Sequence, residues 1–239
     1  MVSVNYEKLL LLNPDLVILR PDQAEIERRL KTLGVPSVRI AAESLDSVYS
    51  SISQLGELLG QGEKAEALNR DIRKDIASLR SNSSWDFGDK PPRVLLVVGR
   101  NPGTLQQIYA AGSGSFLAEL MEIAGLENAL VDTRIQWPVV SKESILKIDP
   151  DVILDGSMRR GEMADGPGPH MDAWNQLPML RAVKNGRIIP FGDEHATIPG
   201  PSVARSARLI RSLVEGVFTA PPGNGAAPKA TPNAAPMSL

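Results

Sequence analysis

Apolar residues fall in short blocks along this chain, and their spacing changes from block to block. Over Leu45, Val48, Ile52, Leu55 and Leu58 they recur every three or four positions, the period of one helix face. After Gly60-Gln61-Gly62, a stripe of Ala65, Leu68, Ile72, Ile76 and Leu79 predicts a helix over about 63–81, roughly 28 Å long at 1.5 Å per residue. Glu66 and Arg70 face each other on its polar side at four-residue spacing. Asp22 to Leu33 reads as a helix closed by Gly34, with a strand near Val35 to Ile40. Arg93 to Val98 is the strongest strand signal, and Phe116, Leu117, Leu120 and Ile123 stripe a helix capped by Ser113 or Ser115 and closed by Gly125. Trp174 and Leu177 mark a short helix and Arg187 to Phe191 a strand. Pro201 starts a last helix, striped by Val203, Ala207, Ile210, Leu213 and Val217.

One phrase occurs twice. Residues 5–19 recur as residues 141–155, 136 positions on, with Glu7 matched by Glu143, Leu10 by Leu146, Pro14 by Pro150 and Asp15 by Asp151. In both copies an N-capping side chain, Asn5 or Ser141, precedes a short helix with an apolar side. That side is made by Leu9, Leu10 and Leu12 in one copy and by Ile145, Leu146 and Ile148 in the other. Asn13-Pro14 and Asp149-Pro150 end the helices, because the residue before proline is pushed out of the helical region. Leu16 to Leu19 and Val152 to Leu154 then read as short strands, buried on both faces as parallel strands are. Such a repeat argues for two similar lobes.

Glu7 and Glu143 sit in the first turns of these helices, where the macrodipole favours a carboxylate by about 0.3–1 kcal/mol. Two readings stand side by side. Each is a well-placed helix-start acid, or the two form matching negative studs, one per lobe, for basic sockets on a partner.

Composition narrows the function. The chain has 239 residues, 42% of them hydrophobic, enough to bury a core as two lobes. A net charge of −2 and 4% aromatic content give no footprint for nucleic acid. The absence of cysteine removes disulfides, thiolate metal sites and cysteine nucleophiles together. No apolar run approaches the roughly 20 residues that span a membrane. No secretory signal precedes the first copy of the phrase, so the chain is expected to be cytoplasmic if its start is genuine; the short first lobe favours a start that lies late.

No catalytic motif stands out, and no catalytic residue is assigned. With two histidines, His170 and His195, a histidine-rich metal cage is ruled out. Met158, Glu162, Met163, Asp165, His170 and Met171 are interrupted by Gly166, Pro167, Gly168 and Pro169, and read as a flexible surface loop rather than a metal site. Gly112-Ser113-Gly114-Ser115 lacks the lysine of a phosphate loop and reads as a turn and cap, with a ligand-lining role as the alternative.

Several phrases together carry a resemblance. They are Asn5-Tyr6-Glu7-Lys8-Leu9 through Pro14-Asp15-Leu16-Val17-Ile18, Leu55 through Ala65, Ala111 through Leu117, Trp137-Pro138-Val139-Val140-Ser141-Lys142-Glu143, Ile148 through Leu154, and Ala182 through Arg187. In this order and spacing, over roughly residues 3–217, the chain resembles the helical-backbone substrate-binding proteins of ABC importers for cobalamin, haem and iron siderophores. The resemblance implies an α/β fold of two lobes with parallel-type sheets, joined by a long linking helix, with the first lobe truncated. The expected division is 1–60 for the partial first lobe, 61–88 for linking helix and linker, 89–218 for the second lobe, and 219–239 for a disordered tail rich in Pro and Ala.

The resemblance also implies a non-catalytic protein with no cofactor. It would bind a metal chelate in the interlobe cleft, a corrinoid such as cobalamin first and a ferric siderophore or haem second. It would then deliver that ligand to an ABC permease whose arginines take Glu7 and Glu143. Trp137 matches the cleft tryptophan of cobalamin-binding members, against the alternative of a packed, partly buried residue. Tyr109 is expected in a loop after the Arg93 to Val98 strand, as a ligand contact. Where the family often has Arg-Pro-Gly-Pro-Arg this chain has Ile198-Pro199-Gly200-Pro201-Ser202, so Asp193, Glu194 and His195 are the expected lining instead. A periplasmic or extracytoplasmic monomer follows, touching only the membrane complex. The rival readings are a cytoplasmic enzyme or accessory protein on the same scaffold, or a truncated remnant that binds nothing.

Overall fold

The computed structural model describes residues 4–41, 43–81, 85, 90–131, 135–157, 169–192 and 197–219, with backbone only for 169–171. The chain divides into two compact units, residues 1–69 and 70–239. The division falls inside one continuous helix.

The first unit opens on the repeated phrase. The Asn5 side chain accepts from the Lys8 amide at 2.9 Å and starts α1 (Tyr6–Leu11). Asn13 then takes φ +45, a left-handed turn ahead of Pro14, and the chain enters β1 (Val17–Leu19). Asparagine tolerates this conformation because its side chain bonds locally. The helix α2 (Ala24–Thr32) ends at Gly34, whose φ of +72 suits a residue without Cβ. It leads to β2 (Ser37–Arg39), which pairs with β1 in parallel, Ile18 opposite Val38. Leu19, Leu30 and Val35 form a small core, with Tyr6, Leu9, Val17 and Ile26 packed against it.

Among the described residues this sheet has two strands, so β1 is not buried on both faces as its run of apolar residues suggests. Ile18 is 57% exposed, and Leu11 and Leu12 stand out from α1 at 86% and 79%. Two helices follow: α3 (Leu45–Leu58), started by a reciprocal Ser44–Ser47 capping box, and α4 (Gly62–Ser81). They approach closely at Gly56, where an added Cβ would collide with that of Ala65.

The second unit holds the main core. Its sheet runs in the order β6-β4-β3-β7-β8, with β5 also pairing β3. The strands are β3 (Arg93–Gly99), β4 (Ile108–Ala110), β5 (Glu127–Asn128), β6 (Val139–Val140), β7 (Val152–Asp155) and β8 (Ile188–Pro190). The strands β5, β3, β7 and β8 are parallel, and β4 and β6 add an antiparallel edge. In the second copy of the phrase, Ser141 caps α6 (Lys142–Ile148), and Asp149 takes φ +44 before Pro150. Here every residue of β7 is buried, with β3 on one side and β8 on the other.

The helix α5 (Phe116–Ile123), capped by Ser115, packs on α9 (Val203–Thr219), and α8 (Arg181–Lys184) packs on β7. The central layer comprises Leu95, Val97, Ile108, Ile145, Ile153 and Trp174, among others. Among the described residues, no helix is long and apolar enough to cross a membrane.

Arg181 fastens the Asp149-Pro150 turn, its amide and Nε each donating to the Asp149 carboxylate at 2.8 Å. Desolvation works against ionisation of Asp149, but the Arg181 amide and guanidinium outweigh it and hold the pKa below the usual 3.8. A carboxylate depressed in the fold stabilises above its unfolded pKa, and that stability is lost as pH falls through the folded value. Asp149→Asn keeps a residue suited to the left-handed turn while removing the charge. We expect the variant to lose less stability than the parent between about pH 6 and about pH 3, read as urea midpoints.

Candidate functional site

The carboxyl ends of β3 and β7 carry a buried, densely hydrogen-bonded polar cluster. Asp155 ends β7 and is 1% exposed. Its Oδ2 accepts from Arg100 Nε at 3.0 Å and from Trp174 Nε1 at 2.8 Å. A second Arg100 nitrogen lies 2.9 Å from the same oxygen, completing an ion pair whose side chains are 0% and 1% exposed. Its Oδ1 accepts from the Ser157 amide at 3.0 Å and from the Ser157 hydroxyl at 2.5 Å. Arg100 also donates to the Thr104 carbonyl at 2.8 Å. One carboxylate therefore fixes the exit of β7, the connection after β3, and Trp174 at the end of α7 (Pro169–Trp174). Gly156 sits where a Cβ would lie 2.8 Å from the Val97 carbonyl, so the chain hugs β3 as it leaves the sheet.

The pinned connection turns through Gly103 at φ +68 and Gln107 at φ +49 into β4. The β3–β4 register slips between Val97 and Gly99, a bulge that re-aims the edge strand. In β4, Ile108 and Ala110 point into the core, while Tyr109 is 42% exposed. Tyr109 pairs with Val139 of β6, itself 61% exposed. The ladder continues past the strand ends, with Ala110 donating to the Pro138 carbonyl at 3.1 Å and Gly112 to the Gln136 carbonyl at 2.9 Å. Trp137, 43% exposed, lies in the bend that leads into β6, two residues before Val139. The edge thus presents Tyr109, Trp137 and Val139 to solvent on a fixed backbone.

Two of the expected ligand contacts, Tyr109 and Trp137, are both exposed, one on β4 and one at the entry to its partner strand β6. Tyr109 lies on a strand rather than in the expected loop, because the Arg100-anchored turn returns the chain at once to the sheet. His195, with Asp193 and Glu194, lies outside the described residues, as do Met158, Glu162, Met163 and Asp165 and the side chains of His170 and Met171. The tail beyond Thr219 lies outside them too. In the Gly112–Ser115 turn, the Ser115 hydroxyl donates to the Gly112 carbonyl at 2.8 Å and accepts from the Ala118 amide at 3.2 Å, which is the cap reading.

Glu7 and Glu143 occupy the first turns of α1 and α6, and both are exposed. The pKa of Glu143 is lowered by a hydrogen bond from its own amide and by the Ser141 hydroxyl, so it is a firm anion at neutral pH. Arg100 and Asp155 went unnoticed in the sequence. Their available signal is a charge at or just past the end of an apolar run, Val94 to Val98 for Arg100 and Val152 to Leu154 for Asp155.

The chain matches the family described as periplasmic binding protein over residues 2–194. It is 25% identical over 222 residues to an uncharacterized ABC transporter substrate-binding lipoprotein of Bacillus subtilis, covering 91% of this chain and 66% of that one. It is 30% identical over 154 residues to the vitamin B12-binding protein of Salmonella typhi, covering 64% of this chain and 55% of that one. The chain thus spans between about half and two thirds of these curated relatives, whose names describe binding proteins and not enzymes. A solved Staphylococcus epidermidis protein, described as a possible iron-binding (periplasmic solute-binding) protein, superposes with TM-score 0.74 at 24% identity, covering 88% of this chain and 80% of that one. That likeness establishes the α/β fold.

Breaking the Asp155 cluster leaves a buried guanidinium without its counterion. Asp155→Asn should cost about 3–5 kcal/mol in urea unfolding. Asp22→Asn, which removes an exposed partner of Arg20, should cost about 0–1 kcal/mol. Equal losses would contradict the role given to Asp155.

Proposed function

Belonging as it does to the periplasmic binding protein family, the chain is, we propose, a solute-binding component of an ABC importer that delivers a metal chelate to its permease. The ligand is a corrinoid in the first instance, with a ferric siderophore or haem second. The observation that carries this reading is the exposure of two aromatic side chains at the antiparallel edge, Tyr109 on β4 and Trp137 at the entry to β6. A large, mostly apolar macrocycle is bound through flat contact area with few polar anchors, and an exposed Tyr and Trp on a fixed backbone supply it at low entropic cost. The relative named as vitamin B12-binding supports the same ligand class, and the one named as an ABC transporter substrate-binding lipoprotein supports the transport role. Trp137 and Tyr109 are the proposed contacts, joined by His195.

Glu7 and Glu143 are the proposed docking acids for basic sockets of the permease. Their equivalence in the two copies supports this: same capped first turn, same exposure, same left-handed residue before proline. The lobes at 1–60 and 89–218, linked through 61–88, belong to the same proposal, as does an extracytoplasmic, monomeric protein.

Titration with cyanocobalamin, haem and a ferric hydroxamate, followed by calorimetry and tryptophan quenching, tests the ligand class. Saturable 1:1 binding of one of them is expected, with Trp137→Ala weakening it about tenfold or more, on the scale of a buried aromatic anchor. Glu7→Ala with Glu143→Ala should leave that affinity unchanged and impair uptake through the reconstituted permease. A folded chain that binds none of the three would contradict the proposal.

A further inference from the structure

The other end of the second unit's sheet, away from Asp155, carries a second concavity. A cavity of about 410 Å³ opens at the amino-terminal ends of β3, β7 and β8, within the range of small-molecule sites. Aromatic side chains line it, Trp85 and Phe218, together with Lys90, Arg93, Arg181 and Arg187. Glu127 and Asp151 are its two acidic members, so the lining carries an excess of positive charge.

The cations are not equivalent. Arg181 is committed to Asp149 and Asp151. Arg93 reaches Glu127 at 3.4 Å and donates to the Ile148 carbonyl at 2.8 Å. Arg187 is held differently, its guanidinium carbon 3.8 Å from the centroid of the Phe218 ring. Stacking uses the face of a guanidinium and leaves its fork of N–H donors along the edge, the geometry that grips a carboxylate with two bonds. Burial lowers the pKa of Arg187, with Asp151 acting in the opposite sense, so this is a partly dehydrated cation beside a carboxylate that others already share. The Trp85 wall is fixed too: its Nε1 donates to the Gly125 carbonyl at 2.6 Å, and Arg211 lies 5.0 Å from its ring.

We propose that this cavity is a binding site for a small organic carboxylate with an aromatic or apolar body, the carboxylate on the edge of Arg187 and the body against Trp85 and Phe218. The site is independent of the Tyr109–Trp137 surface, being built at the opposite end of the sheet.

The three tryptophans give three indole NMR signals, which separate the two surfaces. Titrating the ¹⁵N-labelled chain with benzoate should shift the Trp85 indole saturably and leave that of Trp137 in place. Arg187→Gln should weaken binding about tenfold or more, and Arg187→Lys should weaken it too, since it keeps the charge and loses the fork. An unmoved Trp174 signal reports that each variant is folded. In the unsubstituted chain, added salt should weaken benzoate and spare benzyl alcohol. The proposal is overturned by a Trp85 signal that does not move, by unchanged benzoate binding in Arg187→Gln, or by benzyl alcohol binding as tightly as benzoate. A shift at Trp137 alone would also overturn it and leave the corrinoid reading untouched.

Discussion

A buried carboxylate must have its oxygens occupied, and in this protein that requirement organises one end of the main sheet. Asp155 leaves water at the tip of β7, where an unpaired charge would cost several kcal/mol. Arg100, Trp174 and Ser157 satisfy it, and each comes from a different stretch of chain. Because Arg100 also holds Thr104, the connection after β3 is anchored, and β4 returns antiparallel across the bulge between Val97 and Gly99. The exposed Tyr109 and Trp137 are thus presented by a backbone fixed from below. A buried ion pair decides where exposed aromatic side chains stand.

The repeated phrase shows how far local sequence reaches. Both copies form a capped helix, a left-handed residue before proline and a strand, down to φ values of +45 and +44 at Asn13 and Asp149. Their surroundings differ. The second copy's strand lies between β3 and β8 and is wholly buried, whereas the first pairs with one neighbour and leaves Ile18 exposed. The local element is written in fifteen residues; its burial is set by strands that are distant in sequence.

The same division explains what was legible in the sequence. Helices with long stripes, α3, α4, α5 and α9, and the strand β3 were readable because periodicity over many residues averages out local noise. The strands β4, β5 and β6, of two or three residues, carry no period of their own and exist through pairing. Parallel pairing was expected throughout; the antiparallel edge depends on a bulge and two positive-φ residues that no hydrophobic pattern announces. Tyr109 and Trp137 are legible as exposed-aromatic candidates, but their neighbouring positions in the chain's fold follow from the β4–β6 pairing. The Arg100–Asp155 pair was invisible because its members are 55 residues apart and neither belongs to a motif.

The central claim is that ligand binds on the rigid β4–β6 edge. Hydrogen–deuterium exchange with and without cyanocobalamin, haem or the ferric hydroxamate tests it most directly. Added protection at residues 108–111 and 136–140, with the Asp155 region already slow in the free protein, is the predicted result. Fast exchange around Asp155 in the free chain, or ligand protection that leaves the edge strands unchanged, would contradict it.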